Sequence, residues 1–417
     1  MKLLTLSRFA LCVFCGASIF VVPGLASAGW VRQTSGTTKN LNAVQFPVDA
    51  QTGYIVGGSV SGGGNVILKT TDGGATWVPQ VPPDTTLALW SLDFPVNADT
   101  GWVVGGSGSS CALFETTNGG AHWFYQDISS GILLGVDFPV DNQTGCVVGV
   151  GGMIAITTDG GSHWNYPSSG TSKRLYSVDF PADALTGYAV GDSGTVRKTT
   201  DGGATWFARD PGPNYDFYSV HFPVDAQTGY TVGWDGITYK TTNGGTDWVS
   251  QNPSVEVDLH SVYFPVDAFT GYAVGWPVQP NNIVKTTDGG AYWDTLTSGT
   301  NLNLNSVHFP GNVMTGYAVG DSGTILKTTD GGGVGVENGR DQGLGIRDQA
   351  YRAFPNPFTS YATLPGHEGE RFTLYYISGR KVGTYRGDRI GEGLAPGVYF
   401  LRPSAGNARP VRVVKLR

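Results

Sequence analysis

The chain has 417 residues, a formal net charge of −7, 63 glycines, 11 tryptophans and four cysteines. Its charge is uneven: residues 29–333 hold 26 Asp and Glu against 11 Lys and Arg, and residues 334–417 hold 7 against 13. An acidic body excludes nucleic acid and anionic membrane as main partners, and so few cysteines exclude a disulfide framework.

At the N-terminus, Lys2 and Arg8 precede an apolar run from Leu11 to Val22, a Pro23-Gly24 break and Ala26-Ser27-Ala28. This order predicts a signal peptide over 1–28, a mature start at Gly29, and a secreted or cell-surface protein. The run is shorter than the roughly 20 apolar residues a transmembrane helix needs, and no later stretch is a better candidate. Cys111 and Cys146 then remain, too far apart for a CxxC metal site, either as buried apolar side chains or as one bridge.

From residue 29 to 333 one unit repeats. The string TT(D/N)GG recurs at Asp72, Asn118, Asp159, Asp201, Asn243, Asp288 and Asp330, a mean spacing of about 43 residues. A Phe-Pro pair keeps step at Phe46, Phe94, Phe138, Phe180, Phe222, Phe264 and Phe309. That period suits one four-stranded propeller blade. In the unit Leu175 to Arg209, alternation and turn residues predict strand A in LYSVDF, B in GYAVG, C in TVRKTT and D in TWFAR. Strands this short cannot bury their faces alone, so the expected core is the seven Phe residues with the apolar positions of A and B. A Trp follows the first six turns, but the seventh runs into Gly331-Gly332-Gly333 with no strand D. Gly29-Trp30-Val31-Arg32-Gln33 matches the missing strand. The expected fold is therefore all-β, a seven-bladed β-propeller closed by its N-terminal strand.

With A innermost, the A–B and C–D turns lie on one face and the B–C and D–A loops on the other. The turns are nearly uniform, whereas the loops vary: VPPDTT, SSGTSKR, DPGPNYD, NPSVEVD and GWPVQPNN. Varied loops on a regular scaffold are where recognition is built. Trp90, Tyr176, Tyr218, Trp234, His260 and Trp276 stand on that face, with Tyr215, and are the candidate binding residues. Lys69, Lys198, Lys240, Lys285 and Lys327 on strand C read as a solvated face. After a Gly-rich linker over 334–351, residues 352–417 form a separate β module.

KTTDGGATW, ETTNGGAHW, ITTDGGSHW, KTTNGGTDW and KTTDGGAYW resemble the Asp-box (BNR) repeat, and the unit with FPVDAxTGYAVG is similar to the propeller family of photosystem II assembly factors. The resemblance implies that each box braces a hairpin. Asn118 and Asn243 suit a turn but not a catalytic carboxylate. In the tail, PNPF, FTLYYISGRKV, LAPGVYFLR and VRVVKL resemble the C-terminal sorting domain of type IX secretion cargo, which implies a small immunoglobulin-like β-sandwich that engages export machinery. Its middle section, GTYRGDRIGEG, is shorter than that pattern.

Asp-box propellers include sialidases, which need an arginine cluster and a Tyr activated by Glu. Residues 29–333 offer only Arg32, Arg174, Arg197 and Arg209, with Glu115 and Glu256. Phosphate loops, Ser-His-Asp patterns and HExxH are absent, and GGSGSS (Gly105 to Ser110) is a hairpin with no helix after it. Asp93, Asp137 and Asp179, with His221 and His308, occupy one inner position of successive repeats, shared with Gln45 and Tyr263. That ladder serves either a glycoside hydrolase, as paired carboxylates, or bonding between blades. The expectation is a non-catalytic binding or scaffold protein, with no cofactor or metal, whose partner is a protein or an extracellular glycan; the alternative is a glycan-active enzyme.

Overall fold

The computed structural model describes residues 29–333, apart from 60–63, 129–130, 213, 252–255 and 279–280, and residues 369–415, apart from 377–379, 396 and 404–410. The expected signal peptide, the linker and the PNPF start of the tail lie outside the described residues. Among those described, no helix is long and apolar enough to cross a membrane.

In the repeat read above, strand A is Leu175–Asp179, B is Gly187–Gly191, C is Val196–Thr199 and D is Phe207–Ala208, paired antiparallel in that order. Strand A buries its first and fourth residues, Leu175 and Val178, because a register shift between Leu175 and Ser177 breaks simple alternation. Strand B is buried throughout, since a neighbouring sheet covers each of its faces. Seven sheets share strands A, B and C in this order, with strands A at Leu41–Gln45, Leu89–Asp93, Leu133–Asp137, Leu175–Asp179, Phe217–His221, Leu259–Tyr263 and Leu304–His308. We number them one to seven. Each strand A touches the next, and that of sheet seven touches that of sheet one.

Sheet seven takes its outer strand from the start of the chain. Val31, Arg32 and Gln33 pair with Lys327, Leu326 and Ile325. Trp30 meets Phe309 edge-on at 5.9 Å, as the Trp after each box meets the Phe of its own sheet at 6.1–6.5 Å in sheets one to six. Sheet three departs from the plan, with no fourth strand and a single bridge from Ile156 to Asn165. Pro167 lacks the N–H that Arg209, at the same place in sheet four, donates to the Val196 carbonyl.

The sheets are joined by aromatic stacks. The strand B ring of one sheet lies on the Phe of the next: Tyr54 on Phe94, Trp102 on Phe138, Tyr188 on Phe222, Tyr230 on Phe264, Tyr272 on Phe309 and Tyr317 on Phe46, at 3.6–4.0 Å. The repeated lysines belong to these joints and do not form the solvated face expected of them. Their Nζ groups donate to Gly119, Gly244, Gly289, Gly331 and Gly73, each in the box of the next sheet, at 2.7–2.8 Å. Each also lies 5.2–5.5 Å from the centre of a Tyr ring. The cause is register, because strand C pairs Lys with the Tyr of strand B and both point into the gap between sheets. Between sheets three and four, Cys146 and Ile156 replace Tyr and Lys, and a cavity of about 10 Å³ opens beside Phe180. Cys111 and Cys146 are both free and buried.

Among the described residues of the tail there is one antiparallel sheet, in the order Lys381–Arg386, Arg371–Tyr376, Gly397–Pro403, Val411–Lys415. Phe372, Leu374, Ile390, Tyr399 and Leu401 form its core.

Replacing Lys240 by Met keeps the aliphatic stem but removes a charged donor and its contact with Tyr230. Chemical denaturation is expected to show a loss of about 1–2 kcal/mol. The same change at exposed Lys173 should lie within about 0.5 kcal/mol of the parent.

Candidate functional site

The second residue of each strand A lies at the end entered from the loop face, giving Asn42, Trp90, Leu134, Tyr176, Tyr218, His260 and Asn305 in sheet order. Four of the six predicted residues form one edge-to-face run across sheets four to six. Tyr176 meets Tyr218 at 5.4 Å, Tyr218 meets His260 at 5.7 Å, and His260 meets Trp276 at 6.4 Å. Trp234 pairs instead with Tyr215 at 5.9 Å. Both Trp234 and Trp276 are 50% exposed. Trp90 stands apart in sheet two, half-buried, with an indole N–H that finds no acceptor among the described residues.

Loops of neighbouring sheets hold these rings in place. The B–C turns Asp192–Gly194, Trp234–Gly236 and Asp321–Gly323 put Ser193, Asp235 and Ser322 at φ of 57°, 55° and 52°, a left-handed geometry unusual outside glycine. Their N–H groups donate to Asp216 Oδ1 (2.8 Å), Asp258 Oδ1 (2.9 Å) and Asn40 Oδ1 (3.2 Å) in the next sheet. Composition gave no sign of these acceptors, but their fixed place just before strand A was a signal. Burial, then a hydrogen bond from Tyr176 to Asp192, lifts the Tyr176 hydroxyl to about 12, partly offset by Arg174. Burial, then Asp258 and Asp216, raises the Tyr218 hydroxyl further. Burial keeps His260 below its usual value, and its Nδ1–H donates to the Leu304 carbonyl at 3.2 Å.

The inner ladder is engaged in bonding between sheets. The carboxylates of Asp93, Asp137 and Asp179 accept the N–H of Phe138, Phe180 and Phe222 in the following sheet at 2.6–2.8 Å. Gln45 donates to Asp93 Oδ1 and accepts from Phe94 N–H, both at 2.8 Å. His221 donates through Nε2 to the Phe264 carbonyl (3.2 Å), His308 accepts the Phe46 N–H at Nδ1 (3.4 Å), and Tyr263 stacks between the two histidines. One step towards the loop face, Ser177, Ser219, Ser261 and Ser306 likewise accept from Val220, Val262, Val307 and Val44 at 3.2–3.3 Å. Among the described residues no group of three or more His, Cys, Asp or Glu side chains could hold a metal ion. Burial raises Asp93 to about 6 and Asp179 to about 7, raises Asp137 well above the usual carboxyl value with help from Asp93 and Asp179, and lowers His221 to about 4 and His308 to about 3.

The Asp-box residues lie on the opposite face. Asp72, Asn118, Asp159, Asp201, Asn243, Asp288 and Asp330 each accept the hydroxyl of the Thr two residues earlier at 2.8–3.1 Å. The first six also accept the N–H four residues on, at 2.8–2.9 Å. Asn serves as well as Asp because only an acceptor oxygen is required.

The chain has the β-propeller fold. The profile of the family described as photosynthesis system II assembly factor YCF48 matches residues 168–254. Among solved structures, YCF48 from Cyanidioschyzon merolae is similar at 20% identity and a TM-score of 0.58, over 72% of this chain and 99% of that one. YCF48 bound to D1 peptide is similar at 18% identity and a TM-score of 0.58, over 72% and 97%. The structure of U3-55K is similar at 10% identity and a TM-score of 0.57, over 72% and 98%. No curated protein matches the chain.

The ladder makes stability depend on pH. The folded pKa of Asp179, about 7, lies above its ordinary 3.8, so its contribution is complete below about 4 and is lost as pH rises through 7. His221 and His308 act in the opposite sense, contributing above about 6.5 and losing that contribution as pH falls through 4 and 3. Asp179→Asn keeps an acceptor for Phe222 and removes one titration. Denaturation is expected to show the variant more stable than the parent at about pH 8, with the gap closing towards about pH 5.

Proposed function

We propose that this chain is an exported, non-catalytic β-propeller of seven blades, its ring closed by Val31–Gln33, that binds a partner on its loop face and is displayed at the cell surface or secreted. The observation that carries the binding role is the aromatic run from Tyr176 to Trp276, which stands beside half-exposed indoles on the face whose loops differ from blade to blade. A protein partner is favoured because a structure of the same fold is of YCF48 bound to D1 peptide. The pairing of Val31–Gln33 with Ile325–Lys327 and the contact of the last strand A with the first support closure. The glycan-hydrolase alternative is disfavoured, because the inner carboxylates already accept backbone N–H groups. Export is read from residues 1–28, and the role of 352–417 as a sorting-type β-sandwich from its motifs.

The binding face is tested with a folded variant carrying Trp90→Ala, Tyr176→Ala and Trp234→Ala. Loss of a true anchor should cost about 2 kcal/mol or more, roughly thirtyfold in affinity for a partner recovered by pull-down. Asp201→Ala on the opposite face should lower stability and leave affinity unchanged. Normal binding by the triple variant would show the face to be wrongly assigned.

Removal of 352–417 should leave a folded propeller that accumulates inside the envelope. Fractionation that finds the shortened chain at the surface as abundantly as the full chain would end the sorting role.

A further inference from the structure

Where the aromatic run crosses sheets five and six, the loop segments beside it carry charge of one sign. The segments 214–218, 234–237, 256–260 and 276–278 contain Asp216, Asp235, Glu256 and Asp258 and no Lys or Arg. Asp235 and Glu256 are exposed, and Asp216 and Asp258 are partly so. Each of the last two spends one oxygen on a loop N–H. Of the cations nearest in sequence, Lys240 and Lys285 reach box carbonyls between the sheets and Arg209 donates to the Ala208 carbonyl, while at the sheet-four end Arg174 lies beside Asp192 and Tyr176 and Lys173 Nζ reaches Ser193 Oγ at 3.2 Å. Burial disfavours the charged form of His260.

Aromatic faces and carboxylates recognise cations in complementary ways. A ring quadrupole attracts a cation above its face, and a guanidinium can stack on an indole while its edge bonds a carboxylate. An anionic ligand would be repelled, and a neutral sugar would need the rings but not the acids. We propose that the loop face of sheets five and six, built from Tyr215, Tyr218, Trp234, Trp276, Asp216 and Asp258, takes an extended arginine- or lysine-bearing segment of a protein partner. This rests on the loop face being the binding face, and it adds the chemistry of what binds there.

The test titrates the full chain with a peptide of alternating Gly and Arg and follows indole fluorescence, with Gly-Gln and Gly-Glu peptides of equal length as controls. The Gly-Arg peptide should bind, more weakly as salt rises, and the Gly-Glu peptide should not. Asp216→Asn with Asp258→Asn leaves an oxygen for the Ser193 and Asp235 N–H groups while removing two charges. Affinity should fall about tenfold in that variant and in Trp234→Ala with Trp276→Ala, with thermal unfolding confirming that both remain folded. Equal binding of the Gly-Gln peptide, or unchanged affinity in the Asn variant, overturns the proposal. If the Gly-Gln peptide binds and depends on Trp234 and Trp276, the charge preference falls and the binding face stands. If the Gly-Arg peptide does not bind at all, the cationic segment is wrong, while the pull-down with the triple aromatic variant still decides the face.

Discussion

The structure depends on the joint between successive sheets, in which a strand B ring lies flat on the Phe of the next sheet and a strand C lysine reaches over the ring to a box carbonyl. Strands of two to eight residues cannot hold two hydrophobic faces out of water alone. The joint solves this by making each sheet the cover of its neighbour. It also sets the place of the glycine opening strand B. A Cβ at Gly187 would stand 2.5 Å from the Phe180 ring, so the Phe that receives the stack leaves no room for a side chain there.

The same joint explains why one face is uniform and the other is not. Lysine Nζ and tyrosine hydroxyl groups bond carbonyls in the next sheet's box and A–B turn, so that both turns must keep one shape all round. The B–C and D–A loops are bonded as well, but largely through the backbone, as in Asp192 N–H to the Arg174 carbonyl and Gly194 N–H to the Tyr215 carbonyl. An Asp or Asn side chain also accepts from the B–C turn, and backbone bonds leave side chains free to differ. Variation was free to gather there. Towards the middle, the ladder and the serine tier above it bond backbone N–H groups of the next sheet, so polar side chains there hold successive sheets together.

Much of this was legible from the repeat. The period, the Phe-Pro and box landmarks and the displaced strand at Trp30 located the sheets, because each marks a position with one steric solution. The lysines were misread because Lys on an alternating strand looks solvated unless the neighbouring sheet is known. The short stem of the alternation, Tyr opposite Lys on strands B and C, held the clue. The missing fourth strand of sheet three was a local effect of Pro167 that the intact box and Trp164 concealed. The aromatic run was visible as separate residues, but its continuity needed the packing of adjacent sheets, since Tyr176 and Trp276 are linked through Tyr218 and His260. Trp90, alike in sequence, falls outside the run.

One turn breaks the uniformity of its face, and its neighbour shows why. Phe269 stands in the A–B turn of sheet six, where Leu185 and Met314 occupy the same place in sheets four and seven and are 56% and 49% exposed. Phe269 is only 9% exposed because Phe400 and Tyr375 of the tail sheet lie against it at 4.9 and 6.0 Å. These two rings belong to the side of the tail sheet opposite its own core of Phe372, Leu374, Tyr399 and Leu401, so the contact buries apolar surface that the tail's core leaves uncovered. The tail therefore rests on the face where the turns are fixed by the joints.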